Sequence, residues 1–311
     1  MRFAFLEHLC YNRRQIEGDV VMQIINMSKT KLNSLEPLVL PKDVTSTECE
    51  LYKYHYYGKE KILKKLYLTN GIIFANKLYT IEALNSNKNN IPSNFIIPDS
   101  LVSINKQIEA FTMKYIKGIN LSVVLKEPKI TYEEKINYLK IIGRILEQMK
   151  NIRKYTELKD FYIGDIHEDN FLVDIEKQEI FVADLDSCKI ADNKSFPGRY
   201  LTTTSILKYN EIKYQKLDEP DRVADYKITE DTDIYCYIIM ILNYLYDGRV
   251  DKLSIEEFYR FINYLDDIGV NKELIECFEK IVISSPNENP INYLDTLSLK
   301  QIAGARRLYK K

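Results

Sequence analysis

Residues 162–187 read YIGDIHEDNFLVDIEKQEIFVADLDS. Two short runs rich in β-branched and aromatic residues, NFLVD and EIFVAD, are separated by a polar turn, so the segment predicts a β-hairpin. Asp165 and Asn170 fall on the loop before it, five residues apart, and Asp184 falls just after its second strand. Any one of these residues beside a turn is an ordinary solvated loop group. At these offsets they make a set of hard carboxylate and amide oxygens, the ligands Mg²⁺ prefers. That is a pattern suited to phosphoryl transfer, where the metal neutralises the charge of a γ-phosphoryl held in line with its acceptor.

Outward from this segment the chain changes texture twice. Residues 1–34 carry no clean period and read as an N-terminal extension. From Leu35 short β-rich runs follow: SLEPLVLP, then ELYKYHYY, a turn at Gly58 and KEKILKKLYL. In GIIFANKLYTIEALN, Phe74, Leu78, Ile81 and Leu84 recur at helical spacing, which predicts one amphipathic helix after the third strand. QIEAFTMKYI at 107–116 predicts a further strand, closed by Gly118. Beyond it TYEEKINYLKIIGRILEQMKNIRKY predicts a long helix over 131–155, with Thr131 as its cap and Glu134 three residues on. IYCYIIMILNYLY at 234–246 is far short of the roughly 20 residues that span a bilayer and reads as a buried helix. SIEEFYRFINYLDDI, KELIECFEKIV and LSLKQIAGARRLYKK extend the helical pattern. The expected fold class is α+β: a small β-rich lobe with one main helix over 35–117, then a larger, mainly helical lobe over 118–311.

In this order and spacing, I-G-D-I-H-E-D-N and D-L-D resemble the H-R-D-x-x-x-x-N and D-F-G motifs of the protein kinase superfamily, and the resemblance runs from about residue 35 to 305. It implies a bilobal protein-kinase-like fold and ATP with Mg²⁺ as cofactors. Asp184 would hold the metal, Asn170 a second metal, and Asp165 would orient or deprotonate an acceptor hydroxyl. It further implies a strand lysine on the α and β phosphates, held by a helix glutamate, for which Lys64 and Glu82 are the candidates. Lys64 fits the register of V-A-I-K, and Lys65, on the opposite strand face, is the alternative. AFTMKYIKG is similar to the strand and hinge that read the adenine edge, with Met113 as gatekeeper and Lys114, Tyr115 and Ile116 as hinge; an ordinary strand end would read the same. Asp233, at the start of the buried helix, either grips the backbone of the catalytic loop or simply favours the helix dipole.

The departures from that family are specific. PLVLPKDVTSTECELYKY lacks the glycines of G-x-G-x-x-G, Ile163 and Gly164 replace the His and Arg of H-R-D, and Asp186 replaces the glycine of D-F-G. No A-P-E string follows, and F-P-G-R-Y at 196–200 is the nearest substitute. His167 gives the loop a likeness to H-G-D-x-H-x-x-N of aminoglycoside and choline phosphotransferases, where it would contact the γ-phosphate, although a lone histidine is also a common turn residue. Three functions follow: a protein-kinase-like phosphotransferase, a small-molecule kinase, or a pseudokinase that binds nucleotide as a scaffold. The acceptor is a hydroxyl on an unspecified protein or small molecule.

Composition narrows the partners. With 44 basic and 45 acidic residues in 311, the net charge of −1 supplies no global field for nucleic acid or an anionic membrane. Neither is expected as a partner. The N-terminus, MRFAFLEHLCYNRR, lacks a secretory h-region. Five cysteines form no C-x-x-C pair, which suits a reducing compartment and argues against a disulfide frame or zinc site. A cytoplasmic location is expected.

Overall fold

The computed structural model describes residues 22–39, 48–190, 193, 228–283 and 288–307. Residues 40–47, within PLVLPKDVTSTECELYKY, and the F-P-G-R-Y string lie outside the described residues. The N-terminal part is sheet-rich with one main helix, and the C-terminal part is largely helical.

The N-terminal elements are β1 (Gln23–Met27), α1 (Lys29–Asn33), β2 (Glu36–Pro37), β3 (Cys49–Tyr56), β4 (Lys59–Leu66), α2 (Gly71–Ser86), β5 (Pro98–Ile104) and β6 (Gln107–Lys114). Their sheet runs β1-β5-β6-β4-β3-β2, antiparallel except for β1 on β5. The sheet therefore begins at Gln23, inside the segment read from sequence as an extension. β3 and β4 are joined by Tyr57 and Gly58, and β5 and β6 by Asn105 and Lys106; all four have positive φ. That is the turn whose twist matches paired strands, and it pins register. Lys64 consequently lies opposite Leu51 on one side and Phe111 on the other.

Register sorts the sheet into two faces. Leu51, Leu66, Leu101, Phe111 and Met113 pack with Phe74, Leu78 and Ile81 of α2. Tyr52, Tyr54, Leu63, Val102 and Ala110 pack with Leu32 of α1 on the other. Lys64 shares the parity of Leu66 and sits on the α2 face, whereas Lys65 sits with Leu63.

The C-terminal part comprises β7 (Ile119–Asn120), α3 (Leu121–Lys126), α4 (Tyr132–Tyr155), β8 (Phe171–Asp174), β9 (Glu179–Val182), α5 (Glu230–Tyr246), α6 (Ile255–Asp267), α7 (Lys272–Ile283), α8 (Ile291–Leu294) and α9 (Leu299–Arg307). The cap expected for α4 is present as a full capping box between Thr131 and Glu134. Every side chain from Thr232 to Leu245 in α5 is buried, so this helix is the spine of the large core. No helix among the described residues is long and apolar enough to cross a membrane. The two parts are tied where Ile96 N donates to Val182 O and Val182 N to Asn94 O, both at 2.8 Å.

Candidate active site

The loop before β8 is fixed from below. Asp233, in the first turn of α5, accepts from Ile163 N at 3.0 Å and Gly164 N at 2.7 Å, one amide per carboxylate oxygen. Of the two readings of Asp233, the grip on loop backbone is the one the geometry displays. Burial raises its carboxyl to about 6, against the pull of those two amides. Gly164 has φ +76, and the backbone turns there in a conformation that a side chain would strain.

Asp165, His167 and Asn170 come together on this loop. Asn170 is buried; its Nδ2 donates to Asp165 O at 2.9 Å and lies 3.5 Å from Asp165 Oδ2, an orientation that leaves Oδ1 as the atom a hard cation would take. The buried His167 accepts from Asp169 N through Nδ1 at 3.2 Å, so Nε2 carries the proton and faces Asp165 Oδ2 at 3.5 Å. Ala183 N donates to Asn170 O at 2.8 Å, which couples the loop to the strand end carrying Asp184.

Asp184 has φ 59 and ψ 43, a left-handed conformation uncommon for any residue but glycine, though aspartate tolerates it better than most. Its side chain is 50% exposed and its Oδ1 pairs with Lys64 Nζ. Lys64 also pairs with Asp186 Oδ1 at 2.6 Å. Burial disfavours the Lys64 ammonium, but the two carboxylates outweigh it and hold its pKa well above the usual lysine range. Lys65 turns to Glu50 at 3.0 Å on the other face. Of the two lysines, only Lys64 meets Asp184.

The expected helix partner is different. Lys64 pairs with Asp184 and Asp186, not with Glu82, which lies on a half-buried side of α2. The α2 residue that reaches the site is Lys77, five positions earlier and about 140° away around the helix. Its ammonium donates to Asp186 Oδ2 at 3.0 Å, Ser187 Oγ at 2.9 Å and Glu48 Oε2 at 2.8 Å. Asp186 is 1% exposed. Burial would raise its carboxyl, yet Lys64 and Lys77 hold it well below the usual range. Sequence reasoning missed Lys77; its one signal is a lone charge among the apolar residues of IIFANKLYTI.

The hinge candidates lie at the end of β6. Met113 pairs with Ile62 and shares the α2 face with Lys64. Lys114 is exposed, its ammonium 5.7 Å from the Phe181 ring centre, and Ile116 O accepts from Gly118 N at 2.9 Å. Among the described residues no group of three or more His, Cys, Asp or Glu is placed to hold a metal ion unaided. Asp184 and the Asn170 amide fit the sparser demand of Mg²⁺ bound with a nucleotide, which needs one or two protein oxygens beside phosphates and water.

No protein-family model matches this chain, and no curated protein is significantly similar to it in sequence.

Proposed function

We propose that the chain is a bilobal, protein-kinase-like phosphotransferase that moves the γ-phosphoryl of Mg-ATP to a hydroxyl on a protein. The observation that carries this reading is the convergence of Lys64 and Asp184 from two different elements, beside a loop whose backbone is clamped by Asp233. A buried lysine facing a half-exposed aspartate is what a polyphosphate with its cation requires.

In this reading Met113 borders the adenine site and the backbone of Lys114 and Ile116 meets the base edge. Two of the three N–H donors of Lys64 rest on Asp184 and Asp186, and the third would serve a phosphate oxygen. Asp184 and Asn170 would hold Mg²⁺, whose contribution is to neutralise charge on the phosphates. Asp165 takes the hydroxyl proton as the acceptor oxygen bonds to the γ-phosphorus and the bond to the β-γ bridging oxygen breaks, releasing ADP. His167, donating toward Asp165 Oδ2, orients that carboxylate.

The test is Asp165→Asn. It should keep its affinity for Mg-ATP and lose transfer by about 10²- to 10⁴-fold, because an amide of the same shape is not a base. Binding is read by thermal shift and transfer by intact mass with generic protein acceptors. A variant that transfers at the wild-type rate would make Asp165 structural. A wild type that binds Mg-ATP but labels no acceptor would be a pseudokinase. The proximity of His167 to Asp165 favours one second reading, a small-molecule kinase of aminoglycoside or choline type, for which labelling of small alcohols but not protein is the discriminating result.

A further inference from the structure

Lys77 and Asp186 form a nearly buried charged pair that bridges the two parts of the chain, as Lys64 and Asp186 do: the Lys77 side chain is 8% exposed and that of Asp186 1%. Charges are left in such surroundings only when paired. The Asp186 carboxylate is a bridge, with Oδ1 on Lys64 at 2.6 Å and Oδ2 on Lys77 at 3.0 Å. All three donors of Lys77 are engaged, on Asp186, Ser187 and Glu48, so it has none left for a phosphate. Asp186, with both oxygens on ammonium groups, is turned away from the role of metal ligand that its place two residues after Asp184 would suggest. A second tie runs parallel: Asn193 Nδ2 donates to Thr80 Oγ1 of α2 and to Cys188 O, both at 2.7 Å.

We infer that Asp186 and Lys77 are the positioning pair of this site, with the carboxylate that holds the strand lysine supplied by the loop after β9 and its counter-charge supplied by α2. The inference rests on the phosphotransferase reading for its purpose, but not for its geometry. Lys77 has two effects. It occupies Oδ2 and so keeps Asp186 from closing both oxygens on Lys64, and its charge offsets Asp186 where a triphosphate must enter. Asp186 in turn fixes the ammonium of Lys64 next to Asp184.

The experiment reads Lys64 directly. Wild type, Asp186→Asn, Lys77→Met and Lys77→Arg are treated with an amine-acylating reagent at pH 8, and labelling of Lys64 is measured by peptide mass relative to Lys65. Mg-ATP affinity is measured in parallel, well below each melting temperature. Losing one of the two carboxylates that hold its ammonium should leave the Lys64 amine freer to react, so Asp186→Asn should raise its labelling several-fold. Lys77→Met should lower that labelling, because Asp186 then closes on Lys64. Both variants should weaken Mg-ATP binding by about 10- to 100-fold, the usual effect of removing a partner that orients a ligand, and Lys77→Arg should retain most of it. If Lys77→Met does not fold, Lys77→Gln, which removes the charge but keeps donors, carries the same expectation. Labelling that rises alike in both variants, in step with lower melting temperatures, would reduce the pair to a structural brace and overturn the proposal. Unchanged labelling in both would do the same. If the wild type shows no Mg-ATP binding while the opposite labelling shifts appear, the phosphotransferase reading fails and the control of Lys64 stands.

Discussion

Asp233 should give the protein a pH signature that one substitution removes. Its carboxyl is 2% exposed and titrates at about 6 in the fold, against 3.8 when free. A folded pKa raised above the unfolded one means the native state keeps its proton longer. The stability this group contributes is therefore full below pH 3.8 and is lost as pH rises through 6. The whole shift, just over two units at 1.36 kcal/mol each, is worth about 3 kcal/mol, of which about 1.3 kcal/mol falls between pH 5 and 7. Asp233→Asn abolishes the titration. It also leaves one acceptor for two buried N–H groups, costing about 1–3 kcal/mol at any pH. At pH 7 the two effects nearly cancel, and at pH 5 the variant should be clearly the less stable protein. Urea unfolding of both proteins from pH 5 to 7.5 measures this. Glu230 and Arg153, the neighbouring charges, are present in both proteins and drop out of the difference. Stability curves that run parallel across that range would refute the raised carboxyl of Asp233.

Lys64→Ala should weaken Mg-ATP binding far more than Lys65→Ala in a calorimetric titration, since Lys65 faces Glu50 on the opposite side of the sheet; the reverse order would shift the site register by one residue. Asp184→Asn should lose most of the Mg-dependent part of the ATP thermal shift, because the neutral amide is a far weaker Mg²⁺ ligand than the carboxylate, and equal stabilisation of both proteins would remove Asp184 from the metal site. Gly143→Ala should destabilise the C-terminal core by about 1–3 kcal/mol in urea despite its better helix propensity. A Cβ there would sit 2.8 Å from Tyr237 Oη, which donates to Leu139 O, and 2.9 Å from Ile291 Cβ. A melting temperature at or above that of wild type would contradict the close approach of α4, α5 and α8.

What could be read in the sequence was local. The β3-β4 turn, the Thr131 capping box and the helical stripe of Phe74, Leu78 and Ile81 are each specified by residues within a few positions of one another, so periodicity and turn chemistry find them. β1 and β5 were not legible for the opposite reason. QIINM and PDSLVSI are short and lack alternation, and their parallel pairing joins Gln23 to Ser100, a contact no local pattern encodes. The site divides the same way. Asp165, Asn170 and Asp184 flank one hairpin and are found by spacing, whereas the partner of Lys64 is a question of three dimensions. The acid expected beside Lys64 was Glu82 on α2; α2 instead brings Lys77 to the site from another face, and the acid that pairs with Lys64 there is Asp186. An isolated lysine in an apolar helix and a second aspartate in D-L-D each look unfavourable when read alone. Together they satisfy the rule that buried charges come in pairs, and it is the pair that sequence reading should seek.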